Sequence, residues 1–226
     1  MGYLGSKGGC AVWRRILTHM PRHDYYVEPY LGSGVIMRRK LPSRVMVGVD
    51  IDPDVIHRCD IPGITRIVSD GASYIRDHYM QPDRDTVIYC DPPYVHSTRS
   101  ERGSRYKHEM SDGGHERLLV TLLGASVNPH VYVMLSGYRC ALYDAMLSGW
   151  RRVDYTAMTR GGPRTESLWM SYDPSGMTPH DTRYVGRDHT DRQRIKRLRD
   201  RWVRAYGRLS ANDRRVILAA LEEAPR

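Results

Sequence analysis

The stretch YYVEPYLGSGVIMRRKLPSRVMVGVDID, residues 25–52, decides the fold. Its first run, YYVEP (25–29), and its last, VMVGVD (45–50), are short, apolar and rich in β-branched or aromatic residues, as buried strands are. Between them Gly32 and Gly34 permit a tight turn, and residues 34–40 carry a helical pattern. A strand, a helix and a strand at this spacing imply parallel pairing through a crossover helix. The pattern continues: ITRIVS (64–69), TVIYC (86–90) and VYVMLS (131–136) read as further buried strands, with a helical candidate over 114–123. The expected fold class is therefore α/β, a mostly parallel, doubly wound sheet. WRRVDYTAM (150–158) and ESLWMSY (166–172) are expected to pair antiparallel as an edge hairpin across a Gly161-Gly162-Pro163 turn.

A chain of 226 residues and 26.1 kDa encloses one good core, with room for a small appendage. Composition shifts after Tyr172, where DPSGMTPHDT is rich in turn formers. The expected organisation is a main domain over 1–173, a linker over 174–187 and a basic helical hairpin over 188–226. Arg and Lys crowd residues 188–208, and a second helix is expected from Ser210, with Asp213 as its capping-box partner, to Glu223. Ile195, Leu198, Trp202 and Tyr206 lie at helical spacing and predict a core-facing stripe that packs the hairpin onto itself or the sheet. The arginines of the other face are either solvated or a nucleic-acid contact.

The formal charge of +9 and the pI near 9.5 favour a polyanionic partner, because Lys and Arg gain affinity by displacing counterions from phosphates. Cys10, Cys59, Cys90 and Cys140 are scattered with no CxxC pair, which argues against a zinc knuckle or a disulfide framework and fits a reducing cytosol. No run approaches the length of a membrane span, so no membrane is expected. His96, His108 and His115 match no common metal spacing, and no metal is expected either.

Ligands of doubly wound sheets bind at the carboxyl ends of the strands, near the point where strand order reverses. The segment Glu28-Pro29-Tyr30-Leu31-Gly32-Ser33-Gly34 follows the first strand and opens a helix. A lone GxG also serves ordinary strand-to-helix turns. The next strand, however, ends in Asp50, with Asp52 two residues on, and an acid there can accept both hydroxyls of a ribose. The pair implies a nucleoside-containing cofactor. The missing third glycine of GxGxxG lowers the case for NAD or FAD, and no GxxxxGK[ST] loop is present.

TVIYC runs into Asp91-Pro92-Pro93-Tyr94. A carboxylate and the carbonyl of the following proline can both accept from an exocyclic amine, while an aromatic ring stacks on the base that carries it. Two prolines hold the backbone so that both acceptors point the same way at little entropic cost.

With these motifs in this order, the chain from Tyr3 to Tyr172 resembles the amino-methyltransferases, specifically Dam-like DNA adenine N6-methyltransferases of bacteria and their phages. Tyr3-Leu4-Gly5-Ser6-Lys7 is similar to the N-terminal segment that helps hold S-adenosylmethionine, and residues 27–34 resemble the EPFxGxG turn, with Tyr30 in place of Phe. Asp50 matches the ribose-binding acid, Asp70 in VSDG the acid that contacts the cofactor's adenine, and Asp91 to Tyr94 the catalytic DPPY motif. RYKHEMSDGGHERLL, VMLSGY and RTESLW are also similar to segments of this family. The resemblance implies a Rossmann-like S-adenosylmethionine-dependent methyltransferase fold in a bacterial or phage-infected cytoplasm. It implies a cofactor site of Tyr3, Lys7, Glu28, Tyr30, Gly32, Gly34, Asp50, Ile51, Asp70 and Asp91, and a catalytic set of Asp91, Pro92, Pro93 and Tyr94. The implied reaction is methyl transfer to the N6 amine of a flipped adenine in DNA.

One departure stands out. Residues 71–89 have length for only a short helix and a strand, whereas Dam carries a target-recognition segment there. DNA contacts are then expected from the loop VHSTRSERGSRYKH, with Arg99, Arg105, Tyr106 and Lys107, and from the arginine-rich tail, with relaxed or very short sequence specificity. The alternatives are the same chemistry on cytosine N4 or on RNA adenine, and a non-catalytic nucleic-acid-binding module. The glycine pattern and DPPY both disfavour a nicotinamide oxidoreductase.

Overall fold

The computed structural model describes residues 12–79, 83–95, 108–159 and 162–224. Five strands run parallel: β1 (Tyr25–Glu28), β2 (Val45–Asp50), β3 (Thr65–Val68), β4 (Thr86–Cys90) and β5 (Val131–Gly137). β6 (Arg151–Thr159) and β7 (Gly162–Met170) complete a seven-stranded sheet of order β3-β2-β1-β4-β5-β7-β6, in which β7 is antiparallel to β5 and to β6. The expected class, a Rossmann-like, mostly parallel sheet with an antiparallel edge hairpin, is the one observed.

Burial explains the strand sequences. All of β4 is buried, because helices cover both faces of the central sheet and every position needs an apolar or internally bonded side chain. β3, at the edge, exposes most of its residues. The intervening helices are α1 (Val12–His19), α2 (Val35–Arg39), α3 (Pro53–Arg58), α4 (Gly71–His78), α5 (Asp112–Ala125) and α6 (Ala141–Met146). α5 buries Leu118, Leu119, Leu122 and Ala125, and with Ile88, Val133 and Leu135 of the sheet these form a large apolar cluster. Its first turn is closed by Ser111, whose hydroxyl accepts from the Gly114 N–H at 3.1 Å.

The hairpin differs from expectation in its turn. β6 and β7 pair from Arg151↔Met170 out to Thr159↔Gly162, so Pro163 lies within β7, opposite Met158. β5 pairs with β7 only from Ser167 to Met170, so among the described residues no strand on that side requires the N–H that Pro163 lacks.

The chain divides into two compact units, residues 1–180 and 181–226. In the second, Asp181 forms an ion pair with Arg183 and opens a short 3-10 turn, Thr182–Tyr184. α7 (His189–Gly207) is capped by Asp188, and α8 (Ala211–Glu223) by the capping box of Ser210 and Asp213. Within this unit the stripe closes no core of its own: neither helix has a fully buried residue, Ile195 and Tyr206 are half-buried, and Leu198 and Trp202 are 40% and 64% exposed. Charged residues occupy so many α7 positions that the remaining apolar strip is too narrow to close a core.

Candidate active site

β1 lies between β2 and β4, and the sheet order reverses there. The loops that leave β1 and β4 therefore start side by side at the carboxyl edge, where Val27 pairs with both Val47 and Ile88.

The first loop is a turn that glycine makes possible. Gly32 and Gly34 both have positive φ, 50° and 62°, and a Cβ on Gly34 would lie 2.7 Å from Ile61 Cδ1. Backbone bonds fasten the turn: Leu31 N–H donates to the Val49 carbonyl at 2.9 Å, and Gly34 N–H to the Leu31 carbonyl at 2.7 Å. Asp50 joins it to the end of β2. Its Oδ2 accepts from Gly32 N–H at 2.9 Å and its Oδ1 from Asp52 N–H at 3.0 Å. Burial raises the Asp50 pKa, against the lowering effect of those two amides. Ile51 follows with its apolar side chain half exposed, at 50%.

Glu28 closes the turn from beneath. It is buried, and Oε2 accepts from the Tyr26 hydroxyl at 2.9 Å and from Met37 N–H in α2 at 3.1 Å. Burial, reinforced by the charge of Asp91, pushes its pKa up to about 8. Tyr30 packs against the apolar cluster beside α5 and beside Gly71, where an added Cβ would meet the Pro29 carbonyl oxygen at 2.4 Å and Tyr30 Cζ at 2.9 Å. The Tyr30 hydroxyl is buried and has no hydrogen-bond partner among the described residues. Asp70 is exposed and caps α4, accepting from Ser73 N–H at 2.9 Å.

On the second loop Pro92 is buried, while Asp91, Pro93 and Tyr94 are half-buried. The Tyr94 hydroxyl donates to Glu166 Oε1 at 2.9 Å, and its ring lies 4.4 Å from that of Tyr138, tilted by 44°. Glu166 Oε2 accepts from Tyr155 at 3.3 Å, and Arg164 stands over the Tyr138 ring. The structure thus brings Gly32, Gly34 and Asp50 into one bonded unit, and Asp91 close enough to Glu28 for its charge to be felt there. Tyr3, Lys7, Arg99, Arg105, Tyr106 and Lys107 lie outside the described residues. The sequence reading notes VSDG, VMLSGY and RTESLW but gives no role to Gly71, Tyr138, Arg164 or Glu166 within them. The available signal was strand periodicity, which puts the Glu of RTESLW on an inward position beside Leu168 and Met170. Among the described residues no cluster of three or more His, Cys, Asp or Glu could hold a metal ion.

No protein-family model and no curated protein matches the sequence. Among solved structures, the 23S rRNA methyltransferase ErmE aligns with a TM-score of 0.47 at 15% identity, over 74% of this chain and 69% of that one. The N-methyltransferase NodS of Bradyrhizobium japonicum aligns with a TM-score of 0.43 at 10% identity, over 71% and 93%. A putative DNA modification methyltransferase encoded within an Escherichia coli prophage aligns with a TM-score of 0.41 at 14% identity, over 65% and 46%. The likeness in each case is one of fold.

Proposed function

We propose that this chain is an S-adenosylmethionine-dependent methyltransferase that acts on an exocyclic amine of a nucleic-acid base, with adenine N6 in DNA as its first substrate. The observation that carries the reading is the DPPY loop at the end of β4, one strand from a glycine turn bonded to Asp50.

The residues fit the cofactor. Each Asp50 oxygen accepts one backbone N–H and keeps lone-pair capacity for a ribose hydroxyl. Half-exposed Ile51 offers apolar surface for the flat face of an adenine, and exposed Asp70 has an acceptor for its amine. When bound, S-adenosylmethionine supplies a methyl group already activated on a sulfonium.

The chain's own residues act on the acceptor. A base amine conjugated to its ring is a poor nucleophile. The Asp91 carboxylate and the Pro92 carbonyl would accept its two N–H groups, favour its pyramidal form and stabilise the positive charge that grows on nitrogen. Tyr94 would stack on the extruded base and fix its plane. Exposed arginines of α7 would hold phosphates, and α4 and β4 leave little chain for reading a sequence, which supports relaxed specificity.

The test is to incubate the protein with labelled S-adenosylmethionine and, separately, unmethylated duplex DNA, single-stranded DNA and ribosomal RNA, then to identify the modified nucleoside. N6-methyladenine in DNA is the expected product. N4-methylcytosine or methylated RNA keeps the chemistry and changes the substrate, and no transfer to any of the three overturns the reading.

A further inference from the structure

Glu166, Tyr138 and Arg164 have no part in the reaction outlined above, yet Glu166 and Tyr138 both meet Tyr94 and Arg164 stands over the Tyr138 ring. Glu166 is only 4% exposed. A carboxylate is costly to bury unless hydrogen bonds hold its charge, and here two phenols do so. Tyr155, its directly opposed neighbour in the β6–β7 hairpin, donates to Oε2 at 3.3 Å, a bond that serves the hairpin alone. Tyr94 donates to Oε1 at 2.9 Å from a loop 72 residues away in sequence, a bond that serves the hairpin not at all. Side chains two apart on a strand share a face, so Arg164 stands beside Glu166, with its guanidinium carbon 5.7 Å from the Tyr138 ring centroid. The Tyr138 ring in turn flanks Tyr94 at 4.4 Å. One face of β7 therefore braces both rings, one by its hydroxyl tip and one by its π-face.

A stacking platform works only if its plane is set before the base arrives. A tyrosine at a loop start has two free torsions, and packing against one neighbouring ring leaves it able to tip. Fixing the hydroxyl removes that freedom. Phenylalanine would offer the same π-surface without the tether, and a leucine at position 166 would avoid the buried charge.

We propose that Glu166 is a positioning residue for the acceptor base: it holds the Tyr94 phenol so that the ring meets the extruded base at a fixed attitude, with Tyr138, itself backed by Arg164, as the flanking wall. The proposal rests on the methyltransferase reading, and it assigns a role to two segments, VMLSGY and RTESLW, that the catalytic motif does not explain.

The test is a double-mutant cycle read by kinetics and by structure. Glu166→Leu in the wild-type background should lower kcat/KM for unmethylated DNA about ten- to a hundredfold, with the S-adenosylmethionine Kd unchanged. Tyr94→Phe should show a similar loss, and adding Glu166→Leu to Tyr94→Phe should cost less than about twofold more. Glu166→Gln, which keeps an acceptor oxygen at wild-type size, should recover activity to within about threefold of wild type. Independently of turnover, a crystal structure of Glu166→Leu should show the Tyr94 ring displaced. An unmoved ring overturns the proposal, and so does a full additional loss in the Tyr94→Phe background. Absence of transfer by the wild-type protein removes the methyltransferase reading and this role with it, whereas transfer by wild type with an unmoved or additive Glu166→Leu removes the tether alone.

Discussion

Asp91 and Tyr30 sit on adjacent loops and make opposite predictions. Asp91 is where charge must be met in the transition state, so Asp91→Ala should reduce methyl transfer by about a hundred- to a thousandfold, as loss of a preorganised electrostatic contact does. The cofactor Kd should change little, because the ribose and adenine contacts assigned to Asp50 and Asp70 stay intact; ordinary activity in the variant would show that Asp91 is misassigned. Tyr30 carries a buried hydroxyl with no partner among the described residues, a group that costs about 1–3 kcal/mol to bury. Tyr30→Phe should therefore raise Tm by about 2–12 °C and leave the cofactor Kd unchanged. A fall in affinity on Tyr30→Phe, measured by titration calorimetry, would instead place that hydroxyl on the cofactor.

The element that ties these residues together is the turn from β1 into α2, and Glu28 controls it. Its pKa near 8 lies above the ordinary 4.5, so between those values the folded protein holds a proton that the unfolded chain has released. Its contribution to stability is therefore complete below about pH 4.5, falls as pH rises and is lost above about pH 8. Glu28→Gln, neutral at every pH and the same size, should gain Tm on wild type steadily from pH 5 to pH 9, a difference that thermal melts at those two values would read. Parallel Tm profiles would mean that Glu28 is ionised throughout. Much of this element was legible beforehand: two glycines in a strand-to-helix turn require left-handed backbone, and both adopt it. The central parallel strands were legible for the same kind of reason, since burial leaves continuous apolar runs such as TVIYC, whereas β3, expected to be buried, lies exposed at the sheet edge. Glu166 was not, because its partners come from β6 and from the loop after β4, and no local pattern records a contact across 72 residues. Nor was the exposure of Leu198 and Trp202: helical spacing says which residues share a face, and says nothing about whether another element covers it.

At the scale of the whole molecule, charge is unevenly shared. Residues 181–226 hold 13 Lys and Arg against seven Asp and Glu, a net +6 of the chain's +9, in a unit that carries none of the DPPY site. Some of these arginines are already engaged within α7, Arg194 with Asp191 and Arg199 with Asp200. Lys196, Arg197, Arg201 and Arg204 stand exposed on the same helix. If they neutralise phosphates, each releases condensed counterions, and log Kd for duplex DNA should rise with log salt concentration with a slope of about 0.9 for every phosphate contacted. Replacing all four with Gln should weaken DNA binding at low salt and lower that slope by about 3 to 4, with S-adenosylmethionine affinity unchanged. Fluorescence anisotropy of a labelled duplex across a salt series measures both quantities in one experiment. A slope equal to that of wild type would assign the tail's charge to solvation, and would leave the DNA contacts to residues 95–108, which follow DPPY in the sequence.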